Sequence, residues 1–128
     1  MVVENIKNMM LEEIRDLLEA DLIVGKNMSH IEVERAFAAD LMSDVLAFAK
    51  EGSILLTGLT DPLVVRTADT KGLSAIIFVR GKRPSEETIK MATEKGIPLL
   101  VTRYIMFETC GRLFSKGIRG SVSKVEEK

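Results

Sequence analysis

A chain of 128 residues, 46% hydrophobic and 29% charged, has the size and balance of one globular domain able to bury a core without staples. A net charge of −1, with both signs interspersed, supplies no field for nucleic acid or an anionic membrane, and no apolar run nears the roughly 18 residues that cross a bilayer. One cysteine excludes an internal disulfide, and with no signal-peptide pattern in view the expected compartment is the reducing cytoplasm.

In chain order, Ile6, Met10, Ile14, Leu17 and Leu18 recur at helical spacing against Glu12, Glu13, Arg15 and Asp16, which predicts an amphipathic helix over about 4–20. Leu22-Ile23-Val24 before Gly25 reads as a short strand. Residues 31–38, IEVERAFA, alternate with a period of two and predict one half-exposed strand, with Arg35 on its apolar side. Asp40 is placed to cap a helix carrying Leu41, Val45, Phe48 and Ala49 on one face. SILLTG, 53–58, is the short continuous apolar run of a strand buried on both faces.

Asp61-Pro62 starts a helix that runs towards Gly72, with a capping carboxylate and proline at the first helical position. AIIFV, 75–79, is a second buried strand. Ser85, followed by Glu86 and Glu87, opens a helix that Lys95-Gly96 closes. PLLVT, 98–102, is a third buried strand. A last helix, 105–116, turns Met106, Cys110, Leu113 and Phe114 inward, and 121–128 reads as a flexible polar tail after a domain of 1–120. Strand and helix alternating through short loops predict a single α/β domain with a mostly parallel sheet flanked by helices. Its expected core is Leu46, Leu55, Ile76, Phe78 and Leu100.

Residues 75–114 resemble the end of the N-terminal domain of HPr kinase/phosphorylase: strand, Arg80-Gly81, Pro84, helix, Gly96-Ile97-Pro98, strand, short loop and closing helix. Residues 40–58, DLMSDVLAFAKEGSILLTG, are similar to the small stand-alone DRTGG-domain proteins, some encoded beside iron hydrogenases. The resemblance runs from about Leu17 to Gly117. It implies an HPr kinase N-terminal-domain-like fold in a domain that accompanies other regulatory or catalytic domains and is often dimeric. Two departures bound it. The chain has no Gly-x-x-x-x-Gly-Lys-Ser/Thr phosphate loop, so no kinase or phosphorylase activity carries over. The namesake Thr-Gly-Gly falls at Glu34-Arg35-Ala36, where the missing glycines bear on any close backbone approach to a ligand.

In parallel sheets ligands gather beyond the carboxyl ends of the strands. That edge would collect Asp40, Ser43, Thr57, Thr60, Asp61, Arg80, Lys82, Thr102 and Arg103, with Arg80 and Arg103 in equivalent places after two strands. An anion would find donors there; alternatively Arg80, Lys82 and Arg83 are solvated loop charges paired with Glu86, Glu87 or Asp61. Cys110 reads as a buried, inert thiol, and one histidine (His30) with one cysteine makes no metal set. No nucleophile–base pair stands out, so no catalytic residue and no cofactor is expected. The expectation is a non-catalytic regulatory or ligand-sensing domain, a homodimer, acting through a protein partner or a small anionic metabolite or nucleotide. The alternatives are an enzyme acting on a phosphorylated small molecule, using Asp61 or Asp40 with Arg80, and a pure assembly module.

Overall fold

The structure is a computed structural model and describes residues 8–25 and 30–126. The central runs behave as their composition demands. Ile54–Thr57 (β5), Ala75–Phe78 (β6) and Leu99–Val101 (β7) are buried at every position, with helices on both faces. Leu55, Ile76, Phe78, Leu99 and Val101 face one core; Ile54, Leu56, Ala75, Ile77 and Leu100 face the other. The period of two sorts each strand between the two layers.

Three helices cover the first core: Met42–Phe48 (α2), Pro62–Lys71 (α3) and Glu86–Lys95 (α4). Two cover the second: Leu11–Leu17 (α1) and Met106–Ser115 (α5). The local signals at α3 and α4 hold. Asp61 Oδ1 accepts from the Leu63 N–H at 3.0 Å, Ser85 Oγ accepts from the Thr88 N–H at 3.2 Å, and Gly72 and Gly96 end the two helices at φ +65° and +70°.

Among the described residues, six strands form one mixed sheet. Asp21–Val24 (β2) lies at one edge, antiparallel to β7; then β6, β5 and Arg35–Ala38 (β4) follow in parallel, and Arg119–Gly120 (β8) closes the other edge beside β4. The described residues thus form a single α/β domain with a mostly parallel sheet and five helices, and the alternation predicts such a sheet flanked by helices.

Five expectations need correction. Within the expected 4–20 helix, residues 1–7, including Ile6, lie outside the described residues, and Met9–Met10 (β1) form a strand paired with Glu32–Val33 (β3). The helix begins at Leu11, where Glu13 Oε1 accepts from the Met10 N–H at 2.9 Å. The 31–38 strand divides at Glu34: Val33 packs into the second core and Phe37 against the first, so one strand cannot carry both. On α2 the inward residues are Met42, Val45 and Ala49; Leu41 and Leu46 are 61% and 46% exposed, so Leu46 is no core residue. On α5 Leu113 is buried, Met106 and Cys110 are half-buried, and Phe114 is 61% exposed. The tail is anchored at its root: Ser121 is buried, its hydroxyl 2.7 Å from that of Ser53 and its N–H bonded to Ala36 O. No helix among the described residues is long and apolar enough to cross a membrane.

Candidate functional site

The loops after β4, β5, β6 and β7 meet at the carboxyl edge of the sheet. Those after β4, β5 and β6 lead to α2, α3 and α4 on one face, whereas the loop after β7 leads to α5 on the other. Neighbouring strands whose loops part in this way open a crevice, here between β6 and β7. In this chain the crevice is laced shut. The Arg80 N–H donates to Tyr104 O at 2.9 Å and the Gly81 N–H to Thr102 O at 2.8 Å.

Those two bonds hold Arg80 at φ +60°, a left-handed conformation that is uncommon for a residue with a side chain. The strained turn aims the guanidinium away from β7 and across the end of β5, where it lies against Gly58. On the other side of Gly58 stands Asp40. It does not cap α2, whose N-cap is Leu41 without a side-chain bond. Instead Asp40 Oδ1 accepts from the Gly58 N–H at 2.7 Å and from Thr57 Oγ1 at 3.0 Å, while Thr57 Oγ1 accepts from the Leu59 N–H at 3.1 Å. The carboxylate thereby fixes the end of β5. Among the described residues no ion pair joins Asp40 to Arg80, and none takes a hydrogen bond from the Arg80 guanidinium.

The structure therefore brings Asp40, Thr57 and Arg80 into one cluster over β5, the bay, and gives several of the other expected site residues partners of their own. Asp61 is occupied as the α3 cap. Thr60 contributes its carbonyl oxygen to the Thr88 hydroxyl at 2.7 Å, which ties two loops together. Thr102 is fully buried, its hydroxyl donating to Leu18 O at 2.7 Å. Ser43 and Lys82 are exposed at the same edge, and among the described residues no side-chain hydrogen bond orients either of them. Arg103 runs beside Gly81, its Cγ 3.9 Å from where a Cβ on that glycine would stand, whereas the Arg80 guanidinium lies against Gly58. Arg83 pairs with Asp21 at 3.4 Å, not with Glu86, Glu87 or Asp61. Gly58, the last residue of the apolar run over 53–58, meets both groups: its N–H donates to Asp40 and the Arg80 guanidinium lies against it. The available signal was a glycine directly after a strand buried at every position.

Elsewhere, Glu34, Arg35 and Ala36 lie at the start of β4, the opposite end of that strand from Asp40. Arg35 Nη1 there donates to Gly120 O at 3.2 Å. Among the described residues no group of three or more His, Cys, Asp or Glu could hold a metal ion. An open apolar groove of ≈480 Å³ lies between α5 and the β4–β8 edge, lined among others by Phe107, Cys110, Phe114 and Val122. Cys110 is half-buried in it, and burial pushes its thiol above the ordinary value. At neutral pH the thiolate fraction is then reduced, so Cys110 reacts with a disulfide reagent more slowly than an unperturbed thiol. Rates measured from pH 7 to 10 check this, and a midpoint at or below that of a free cysteine would contradict it.

A model of the DRTGG domain family matches residues 13–115, more than half of the chain. This chain belongs to the DRTGG domain family. No curated protein matches it. Among solved structures, this DRTGG domain is similar to the regulatory region of a Clostridium perfringens pyrophosphatase, comprising CBS and DRTGG domains, in complex with the activator diadenosine tetraphosphate. Identity is 22% and the TM-score 0.67, over 88% of this chain and 46% of that one. The present DRTGG domain thus spans about half the length of that chain, and at this identity the likeness establishes the fold.

Proposed function

We propose that this DRTGG domain is a non-catalytic regulatory module that senses a small phosphorylated metabolite or nucleotide in the bay over β5. One observation carries the reading: Arg80, held in a strained turn by two main-chain bonds, presents a guanidinium with no acceptor among the described residues at the carboxyl edge of the sheet. A guanidinium can take two phosphate oxygens at once. Asp40 Oδ2, which takes no hydrogen bond from the described residues, is placed to accept from a hydroxyl. A phosphate ester bearing a free hydroxyl, such as a nucleotide or a sugar phosphate, satisfies both groups; bare phosphate meets the Asp40 carboxylate unfavourably. The similar pyrophosphatase regulatory region, solved with a dinucleotide activator, lends the reading support.

Calorimetric titration of the whole chain with nucleotides, diadenosine polyphosphates, hexose phosphates and inorganic phosphate tests it. Saturable binding of a hydroxyl-bearing ester, tighter than phosphate and weakened by salt, is the expected result. No binding across the panel overturns it.

The same reading takes the chain to be a cytoplasmic homodimer. Its support is the exposed apolar surface around α5, where Phe107 and Phe114 are 83% and 61% exposed, and a free cysteine suited to a reducing compartment. Sedimentation at micromolar concentration is expected to give a dimer, and Phe107→Asp to lower the association constant. A wild-type monomer under those conditions overturns the dimer.

A further inference from the structure

The Arg80 pose depends on an absence. A Cβ built on Gly58 would stand 2.7 Å from Arg80 Nη2, 3.5 Å from Cζ and 3.5 Å from Nε. These are its three nearest atoms, and all belong to one guanidinium. A contact of 2.7 Å lies well inside the 3.5–4.0 Å at which non-bonded atoms attract. Gly58 is not among the residues with positive φ, so left-handed freedom does not explain a glycine here. Its N–H bond to Asp40 is main-chain and available to any residue but proline.

We propose that Gly58 is a positioning residue for ligand capture: its missing side chain lets the Arg80 guanidinium lie against the end of β5, beside the residue whose N–H holds the Asp40 carboxylate. This rests on the reading of the bay as a phosphate-ester site. It adds that the separation between the anion-binding and hydroxyl-binding groups is set by a residue that touches the ligand with neither charge nor hydrogen bond. With any side chain at 58 the guanidinium swings outward and the two groups no longer address one small molecule together. The atom in the way is the far end of a flexible, exposed side chain, so displacement leaves the packing intact.

The test has two arms on the whole chain. In the first, without ligand, the Arg80 Nε–Hε resonance is assigned by its loss in Arg80→Ala and followed in Gly58→Ala. It is expected to move and to gain mobility while the melting midpoint stays with the wild type. An unmoved Arg80 resonance overturns the inference, whatever binds. In the second, ADP and glucose 6-phosphate are titrated into wild type, Gly58→Ala, Arg80→Ala and the double variant. For the probe that binds, each single change is expected to cost at least about tenfold in Kd, and the double change little more than either. Binding lost in Arg80→Ala but unchanged in Gly58→Ala overturns this inference alone. Absence of wild-type binding to both probes and to the wider panel overturns the functional reading, and with it this one.

Discussion

Replacing Phe78 by alanine is expected to cost the domain about 3–5 kcal/mol of stability, the range for deleting a buried aromatic ring from a core that cannot collapse around the gap. Phe78 is fully buried on the central strand β6, between Thr57 of β5 and Val101 of β7. It faces the first core, where residues of α2, α3 and α4 all contribute. Three helices held against a sheet have little freedom to close a cavity at its centre. Urea unfolding of both proteins measures the loss, and a value below about 1 kcal/mol, as at a forgiving site, contradicts the placement. Leu46→Ala is the control. At 46% exposure on α2, Leu46 is expected to change stability by no more than about 0.5 kcal/mol.

Thr102→Val conserves shape and removes only a hydroxyl, yet it is expected to cost about 1–3 kcal/mol, because it strands buried partners. The hydroxyl donates to Leu18 O at 2.7 Å and accepts from the Tyr104 N–H at 3.3 Å, with Thr102 wholly buried. It joins the end of β7 to the turn after α1, 84 positions away in sequence. Around the same joint the Tyr104 hydroxyl donates to Glu19, and the Arg112 guanidinium stacks on the Tyr104 ring at 4.0 Å. If Thr102 is structural, Thr102→Val lowers the urea midpoint and leaves the affinity for a bound phosphate ester unchanged. A fall in affinity at unchanged stability would return Thr102 to the ligand site.

What the sequence disclosed follows from how local each cause is. Continuous apolar runs announced β5, β6 and β7 because strands covered on both faces have no polar side to display. Asp61-Pro62, Ser85, Gly72 and Gly96 announced α3 and α4 because a cap acts within a few residues of itself. The phase of α2 was hidden because seven residues make only two turns, in which Leu41 and Leu46 compete with Met42 and Val45 for the inward stripe. Alternation over 31–38 cannot reveal a break at Glu34, since each half alternates properly for its own partner. Asp40 has a capping residue's chemistry, but the end of β5 claims its carboxylate across 18 positions. The candidate site was legible to the same extent. Arg80 could be placed at a strand end, yet the direction of its side chain depends on a glycine 22 positions earlier and on main-chain bonds to the β7–α5 loop.

The position of β8 has a consequence for the order in which the molecule can assemble. β4, β5, β6 and β7 add in sequence order along the sheet, each beside its predecessor, so that part can grow by near-neighbour steps. The last strand among the described residues, Arg119–Gly120, returns over the opposite face to pair with Arg35 and Ala36, and Ser121 then meets Ser53. Until residue 121 has left the ribosome, the outer edge of β4 stays unpaired and Ser53 lacks its partner. Closing such a distant loop is a slow step, and an open strand edge is where copies adhere during it. Nascent chains stopped before residue 119 should therefore be sensitive to protease and prone to clumping, and those stopped well beyond 121 should be neither.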